Sequence, residues 1–210
     1  MTTPRRTAYS QRTRAQYLEQ LPAAVRSSGE RLYEEYDFLI ALKARAQTEL
    51  IAESYKHATT RILETAPGMG PIRVAQLVSI VVTPHRFRTK RQFWSYCGLS
   101  IVMRSSSDWV RTPEGGWIRG GVQQTRGLTR QHNHTLKEIF KGAATTVVTQ
   151  PNTYALYSAY EHMTNSGTKP NLAKVTLARM IAEIVLRMWE DEERYQPRRT
   201  KESKQSAPRP

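Results

Sequence analysis

Residues 63–75 read Leu-Glu-Thr-Ala-Pro-Gly-Met-Gly-Pro-Ile-Arg-Val-Ala, and this stretch decides how the chain on either side of it is arranged. Two prolines enclose Gly68 and Gly70, so one helix ends before them and another can begin after them. The pattern predicts a helix-hairpin-helix. Backbone N–H groups beside the second helix can bind a phosphate oxygen, which makes Gly68, Gly70 and Arg73 candidate contacts to a nucleic acid. A tight corner inside the hydrophobic core would produce the same stretch.

A long helical pattern precedes this turn. Its apolar positions are spaced alternately four and three residues apart, which predicts a coiled-coil-like helix over residues 29–65 with one seam. The seam consists of Leu32, Tyr36, Leu39, Lys43, Ala46 and Leu50. Another copy of the chain or a neighbouring domain could cover the seam, or the helix could fold back on its own core. The first arrangement would make the chain a homo-oligomer.

The two ends of the chain differ from its middle. Residues 1–28 are rich in Arg, Thr and Gln and contain Pro22, so they predict a basic arm that is irregular or weakly helical and partly disordered. Residues 196–210 combine Pro, Ser, Lys and Arg, which predicts a disordered basic tail. The folded domain is therefore expected over residues 66–195.

That domain is expected to be mainly α-helical. Helices are predicted at about 72–82, 133–149, 153–164 and 171–195, the last with Asn171 as its N-cap. Thr89 to Gln92 has the form of a capping box and predicts one further helix, which contains Cys97. Short β-like runs occur at 101–104, 109–112 and 117–119, and the turn signal between the last two predicts a small β-hairpin.

Charge is the first indication of a partner. Lys and Arg number 32 against 18 Asp and Glu, a formal net charge of +14 with a pI near 10.2. DNA and other polyanions are the expected partners, and salt should weaken their binding. The surplus is concentrated between His85 and Gln131, where nine cations accompany two acids. These cations are Arg86, Arg88, Lys90, Arg91, Arg104, Arg111, Arg119, Arg126 and Arg130.

Cysteine content and hydropathy indicate a compartment. Cys97 is the only cysteine, so no disulfide can form within the chain, which fits a reducing cytoplasm. It lies in an apolar run and is expected to be a buried core thiol. No stretch is long and apolar enough to span a membrane, so we expect no membrane association.

A serine-rich segment, Arg104 to Asp108, lies between two of the β-like runs and inside the basic block. A serine hydroxyl at a strand end beside arginines is placed to attack a phosphate, while the arginines stabilise the charge on the phosphoryl oxygens. On composition alone, three serines beside an aspartate are more often a polar turn.

The segment 125–134 carries Arg126 and Arg130, which we expect to contact phosphates, and Asn133 and His134 are expected to start the next helix. His132 and His134 are two residues apart, so on a helix they would lie on different sides and would not form a metal site. The acidic residues lie mostly on helix faces, and no acidic cluster follows a strand. No metal or other cofactor is therefore expected in this chain.

Taken in order, these motifs resemble the C-terminal transposase domain of the IS110 family of insertion sequences. The segments that carry the resemblance run from Glu53 through Pro67–Pro71, then Thr83–Gln92, Gly98-Leu99, Arg104–Asp108, Thr125–Leu128 and Lys141–Ala144. The predicted helix from Gly29 resembles the coiled coil that precedes that domain. The resemblance covers roughly residues 29–195.

The resemblance implies a DNA recombinase that cleaves and rejoins DNA strands in a prokaryotic cytoplasm. It places the serine nucleophile of the family, which forms a covalent phosphoserine link to DNA, on Ser106, with Arg104 and Arg111 as candidate phosphate clamps. Many members have Ser-Gly where this chain has Ser106-Ser107. Further DNA contacts are expected from Arg86, Arg88, Lys90, Arg126 and Arg130. Some members are guided by a structured RNA, so a guide RNA from the same element is a further possible partner.

Members of that family also contain an RNase H-like (RuvC-like) domain with four acidic residues and Mg²⁺. Residues 1–28 are too few and too basic to be such a domain. The chain is therefore expected to be a truncated transposase, or a second half that works with an acidic domain encoded elsewhere, and Mg²⁺ is expected only there. Two alternatives stay open: a non-catalytic helix-hairpin-helix module that binds nucleic acid, and a helical assembly protein built on the Leu32–Leu50 seam.

Overall fold

The computed structural model describes residues 7–104, 109–119 and 124–197, and within them it confirms a mainly helical fold with a small antiparallel β part. The chain divides into two compact units, Met1–Glu53 and Ser54–Pro210, which we call the first and the second unit. The first unit contains eight Lys and Arg against seven Asp and Glu, and the second contains 24 against 11. The positive surplus therefore belongs almost entirely to the second unit.

Two helices form most of the first unit. A 3-10 turn at Thr7–Tyr9 leads into α1 (Arg14–Glu19), and α2 spans Ala23–Ser54. Two expectations are corrected here: the arm at residues 1–28 contains α1 and the start of α2, and the helix expected over 29–65 ends at Ser54. The earlier start follows from Pro22, because a proline just before a helix lacks only an N–H that the first turn leaves unpaired.

Arg14 fastens the start of the first unit to α2. Its guanidinium donates two hydrogen bonds to Asp37, at 2.6 and 2.7 Å, and lies 4.7 Å from the ring centre of Tyr33. The hydrogen bond to Arg14 lowers the pKa of the Asp37 carboxyl below its usual value. The Tyr33 hydroxyl donates to Ala8 O at 2.9 Å. These polar contacts order the segment before α2 without a buried core.

A corner after Ser54 interrupts the long helix that the sequence predicts over residues 29–65. Helix α2 ends at Ser54, and α3 follows at Ala58–Leu63. The Thr60 hydroxyl donates to Ser54 O at 2.7 Å, and both residues are buried. This hydrogen bond gives the buried Thr60 hydroxyl and the buried Ser54 carbonyl a partner. The spacing of apolar residues in the sequence does not predict it.

Helix α8 is the centre of the second unit. The helices after α3 are α4 (Pro71–Val81), α5 (Lys90–Tyr96), α6 (His134–Thr149), α7 (Tyr157–Asn165) and α8 (Pro170–Glu190), with a 3-10 turn at Pro84–Arg86. Helix α8 packs on α3, α5, α6 and α7. Its Leu177, Ile181 and Val185 are fully buried, and burial of each such side chain stabilises the fold by about 1.5–3 kcal/mol. Cys97 is buried in the same core, as predicted, and burial raises the pKa of its thiol.

Helix starts were predicted best where a side chain caps them. The Thr89 hydroxyl accepts from Gln92 N at the start of α5, and Asn133 Oδ1 accepts from Leu136 N at the start of α6. The predictions for the last two helices are wrong at their ends, since α7 begins at Tyr157 and α8 ends at Glu190. The N-cap of α8 is Lys169 rather than Asn171, because Pro170 takes the first helical position, which its fixed φ favours.

All four strands lie between α5 and α6. They are β1 (Ile101–Arg104), β2 (Trp109–Arg111), β3 (Trp117–Arg119) and β4 (Gln124–Leu128). The predicted hairpin of β2 and β3 is confirmed, with Arg111 opposite Trp117. Strand β4 was not predicted; it pairs antiparallel with β1, and Gly127 lies at an irregularity of this ladder with φ +81°. The chain thus leaves the helical core along β1, forms the β2–β3 hairpin, and returns along β4.

The glycine turn between α3 and α4 packs directly on α6. Gly68 is buried with φ +71°, and a Cβ atom there would lie 2.4 Å from the backbone oxygen of Ala143. Arg73 Nη1 donates to Gly68 O at 2.7 Å and to the Thr146 hydroxyl at 3.1 Å. The turn is therefore fixed to α6 by backbone contact and by one guanidinium.

Replacement of Gly68 by alanine should destabilise the second unit by about 3 kcal/mol or more, because it adds left-handed backbone strain to a clash with fixed backbone. Gly70→Ala is the matched control: φ there is −91°, and no atom lies within 4 Å of a new Cβ. Its cost should stay near 1 kcal/mol. Urea unfolding followed by circular dichroism measures both, and equal costs would contradict the close contact.

Candidate nucleic-acid interface

Some basic residues of the second unit form bonds with other residues of the same unit. Arg73 bonds to the glycine turn and to α6. Lys90 Nζ donates to Glu183 Oε1 at 2.7 Å and lies 5.5 Å from the ring centre of Trp94. These two predicted DNA contacts have internal partners, so their role with nucleic acid stays a prediction.

Arg86, Arg88 and Arg130 are among the exposed cations of the second unit. Their side chains are exposed, and across residues 7–104, 109–119 and 124–197 none of the three takes part in an ion pair. Phe87, between the first two, is buried against Phe93 with ring centres 5.0 Å apart. The core thus anchors the middle of this tripeptide and leaves an arginine on the surface at either side, where guanidinium groups can neutralise phosphates.

A shallow groove lies beside these arginines, and we call it the basic groove. It is lined by Arg86, Phe87, Arg88, Gln92, Ser95, Tyr96, Thr129 and Gln131. One wall comes from α5 and the turn before it, and the other from the segment after β4. Among the side chains that line it, as far as the chain is described, none is acidic.

Hydrogen bonds to the backbone position the second wall. Thr129 N donates to Ser100 O at 2.9 Å, and the Thr129 hydroxyl donates to the same oxygen at 3.2 Å. Asn133 N donates to Tyr96 O at 3.0 Å. The segment from Thr129 to Asn133 therefore lies along the end of α5, and the exposed Arg130 lies between two residues that line the groove.

A strained turn precedes the first wall of the groove, which is the wall formed by α5 and the turn before it. Val82 has φ 65° and ψ −48°, and Thr83 N donates to Val81 O at 2.7 Å, which is the geometry of a γ-turn with positive φ. β-branched residues rarely adopt this conformation, and such strain costs on the order of 1–3 kcal/mol. The turn redirects the chain from α4 into Pro84–Arg86, and strained backbone of this kind is concentrated at functional sites.

The predicted contacts of the glycine turn differ in accessibility. Gly70 is the N-cap of α4 and is partly exposed, with open space around it. Gly68 is buried, and its carbonyl is bonded to Arg73. Of these residues Gly70 is therefore the best placed for a phosphate, and the contacts predicted for all three stay predictions.

The predicted nucleophile, Ser106, lies outside the described residues. Arg104 ends β1 and pairs with Gln124 of β4, the strand that also contains Arg126. Arg111 ends β2 with an exposed side chain. These predicted phosphate contacts thus lie on β1, β2 and β4, and β1 and β2 adjoin the 105–108 segment in sequence.

Histidine geometry departs from the expectation. His132 and His134 do not lie on different sides of a helix: their ring centres are 4.5 Å apart, because α6 begins only at His134. No three His, Cys, Asp or Glu side chains group into a possible metal site in the described ranges. Across those ranges, every helix is too short or too polar to cross a bilayer.

Of the residues that line the groove, the sequence predicted only Arg86 and Arg88 as contacts. Charge identified these two, but the uncharged residues gave no such signal; they are Phe87, Gln92, Ser95, Tyr96, Thr129 and Gln131. Thr129 and Gln131 become part of the site because β4 pairs with β1 and returns the chain to α5.

Arg88→Gln should weaken binding to duplex DNA by several-fold and lower the slope of log affinity against log salt by about one, because one phosphate contact is lost. Arg61→Gln is the control; it removes the same charge from an exposed position on α3 that does not line the groove. Fluorescence anisotropy across a salt series measures both. Equal slopes for the two variants would remove the groove from the interface.

Comparison with known proteins adds an independent observation. Residues 60–128 match the family model described as Transposase IS116/IS110/IS902 family. Among curated proteins, none matches the chain. The matched segment begins within α3, contains the glycine turn and Arg86 to Tyr96, and ends with β4. Residues 60–128 are therefore similar to transposases of the IS116/IS110/IS902 family, which confirms the resemblance for the motifs that lie in this segment.

Proposed function

We propose that this chain binds DNA through the basic groove and transfers DNA strands with Ser106 as nucleophile. The observation that carries the proposal is the family match over residues 60–128, which includes Ser106 and the arginines of the groove's first wall. The concentration of charge in the second unit supports it. So does the exposure of Arg86, Arg88 and Arg130 without described ion pairs.

The chemistry is an exchange of phosphodiesters. The Oγ atom of Ser106 attacks the phosphorus, and the new O–P bond forms as the bond from phosphorus to a deoxyribose oxygen breaks. The serine hydroxyl loses its proton, and the departing oxygen gains one. Attack by another DNA hydroxyl on the phosphoserine reverses these steps and rejoins a strand, so no external energy source is required.

Arginines on the neighbouring strands would stabilise the charge that develops on the phosphoryl oxygens. Arg104 precedes the serine segment on β1, and Arg111 follows it on β2. The pairing of β1 with β4 adds Arg126 from the returning strand. A pentacoordinate phosphorus carries more negative oxygen charge than the ground state, so guanidinium groups there favour the transition state.

Magnesium chemistry is proposed to belong to another domain. In the described ranges, no group of three or more acidic, His or Cys side chains could form a metal site, and the acids that the resemblance requires have no counterpart among the predicted motifs. We derive no step of this chain through a metal. The same cationic groove would also accept the phosphates of a guide RNA.

Ser106→Ala should abolish a covalent protein–DNA adduct on nicked duplex DNA while leaving DNA affinity within about twofold, because a missing hydroxyl removes the nucleophile and little binding surface. Ser105→Ala and Ser107→Ala are matched neighbours that should retain the adduct. A denaturing gel detects the adduct, and anisotropy measures affinity. Binding without an adduct from the unmodified chain would favour the non-catalytic module, and loss of binding in Ser106→Ala would indicate a structural serine.

We further propose that the apolar seam of α2 associates two or more copies of the chain. Leu32 and Leu39 keep 65% and 51% of their surface exposed, and their spacing with Ala46 is that of a coiled-coil seam. Such a row of leucines on a solvent-exposed helix is typical of an interface.

The Leu32→Glu/Leu39→Glu variant should be monomeric, because two buried charges in a seam cost far more than its packing contributes. Ala41→Glu adds a charge at an exposed position about half a turn from the seam and should leave the oligomer intact. Light scattering after size-exclusion chromatography gives the mass. A wild-type chain that elutes as a monomer would contradict the assembly.

A further inference from the structure

The basic groove has the size of a site for one small group. The groove is open to solvent, and its volume is about 450 Å³, within the range of roughly 300–1,000 Å³ that is common for small-molecule sites. This volume suits one nucleotide, whereas a duplex can only lie across the rim. The interior of the groove therefore suits a smaller ligand than its charged edge does.

Arg86 provides a flat surface at this groove. Its guanidinium lies 5.0 Å from the ring centre of Tyr96 and 5.4 Å from that of Phe87, and the two rings are 5.5 Å apart. Its Nη1 donates to Val81 O at 3.4 Å, which further fixes it. The side chain nevertheless stays exposed. A planar cation in this position can stack with a second planar group such as a nucleobase.

The uncharged side chains of the groove offer acceptors as well as donors. The Ser95 hydroxyl donates to Ser100 Oγ at 3.0 Å and the Thr129 hydroxyl to Ser100 O, so both keep acceptor lone pairs. Gln92 Oε1 accepts from Arg88 N at 2.8 Å, which leaves its amide NH₂ as a donor. Phosphate oxygens only accept hydrogen bonds, so the acceptors of the groove cannot bind them. The edge of a base presents both kinds of group.

Exposed cations occur in both segments that form the walls of the groove. Arg88 lines one wall, and Arg130 lies between two residues that line the other. Both are exposed and lack ion pairs within the described parts of the chain. A phosphate beside an inserted base can therefore meet Arg88 on the first wall, and Arg130 is an exposed cation of the segment that forms the second.

We infer that the basic groove binds an unpaired base of single-stranded DNA, stacked on Arg86, with its flanking phosphates on Arg88 and Arg130. The inference rests on the proposed function, in which the chain acts on the strands of DNA. It adds a base-binding role to a surface otherwise expected to contact phosphates alone.

The test compares two short single-stranded DNAs that differ only in whether a central nucleotide carries a base or an abasic analogue. The full chain should bind the intact strand about tenfold more tightly, since stacking of one base contributes about 1–3 kcal/mol. Arg86→Lys keeps the charge but loses the planar surface, so it should bind the two strands equally while its affinity for the abasic strand stays within about twofold of wild type. Arg61→Gln should retain the preference of wild type.

Each outcome has a defined meaning. Equal affinity of the wild-type chain for both strands, or an unchanged preference in Arg86→Lys, overturns the base site and leaves the proposed function intact. Failure of the chain to bind either strand or duplex DNA overturns the proposed function itself. RNA of the same sequence is a third ligand: binding of RNA with none of DNA overturns the assignment to DNA, and DNA affinity equal to or above that for RNA supports it.

Discussion

The backbone of the turn at Gly68 touches the backbone of α6 at Ala143, and the arrangement of the second unit depends on that contact. Only a residue without Cβ permits the approach, and Arg73 closes it with bonds to both sides. Helix α4 leaves the turn from this point, and its buried Val74, Leu77 and Val81 hold it in the core as far as the strained Val82. The first wall of the groove follows directly after this far end of α4.

Charge alone would not locate the site in this protein. Most of its surplus lies in the second unit, yet several cations there, such as Lys90 and Arg73, are already bonded to neighbours. The groove is distinguished by Arg86 and Arg88, which are exposed and have no ion pair in the described residues, and by the aromatic rings beside Arg86. A cation that is desolvated or hydrogen-bonded within the protein is less available to a phosphate. Which cations already have a partner is therefore more informative about the site than the net charge.

Much of the fold could be predicted from residues that act locally. Thr89 and Asn133 cap helices through their own side chains, and the turn after Arg111 marks a hairpin, so their positions follow from short sequence patterns. The corner at Ser54 could not be predicted, because a hydrogen bond between two buried polar residues leaves no mark on the spacing of apolar residues. The return of β4 could not be predicted because it depends on pairing with a strand that lies about 20 residues earlier in the chain. Charge identified Arg86 and Arg88 of the groove, whereas its uncharged residues were not predicted.

The strands between α5 and α6 form one long loop whose two ends are joined, because Ser100 O accepts hydrogen bonds from Thr129 and Ile101 pairs with Leu128. Once its ends are joined, the entropy of such a loop depends only weakly on its length, and doubling it costs about 0.6 kcal/mol. Insertions or deletions within the loop, beyond its joined ends, should therefore have little effect on the stability of the helical core. The chain beyond these ends can therefore change in length while the helices keep their packing.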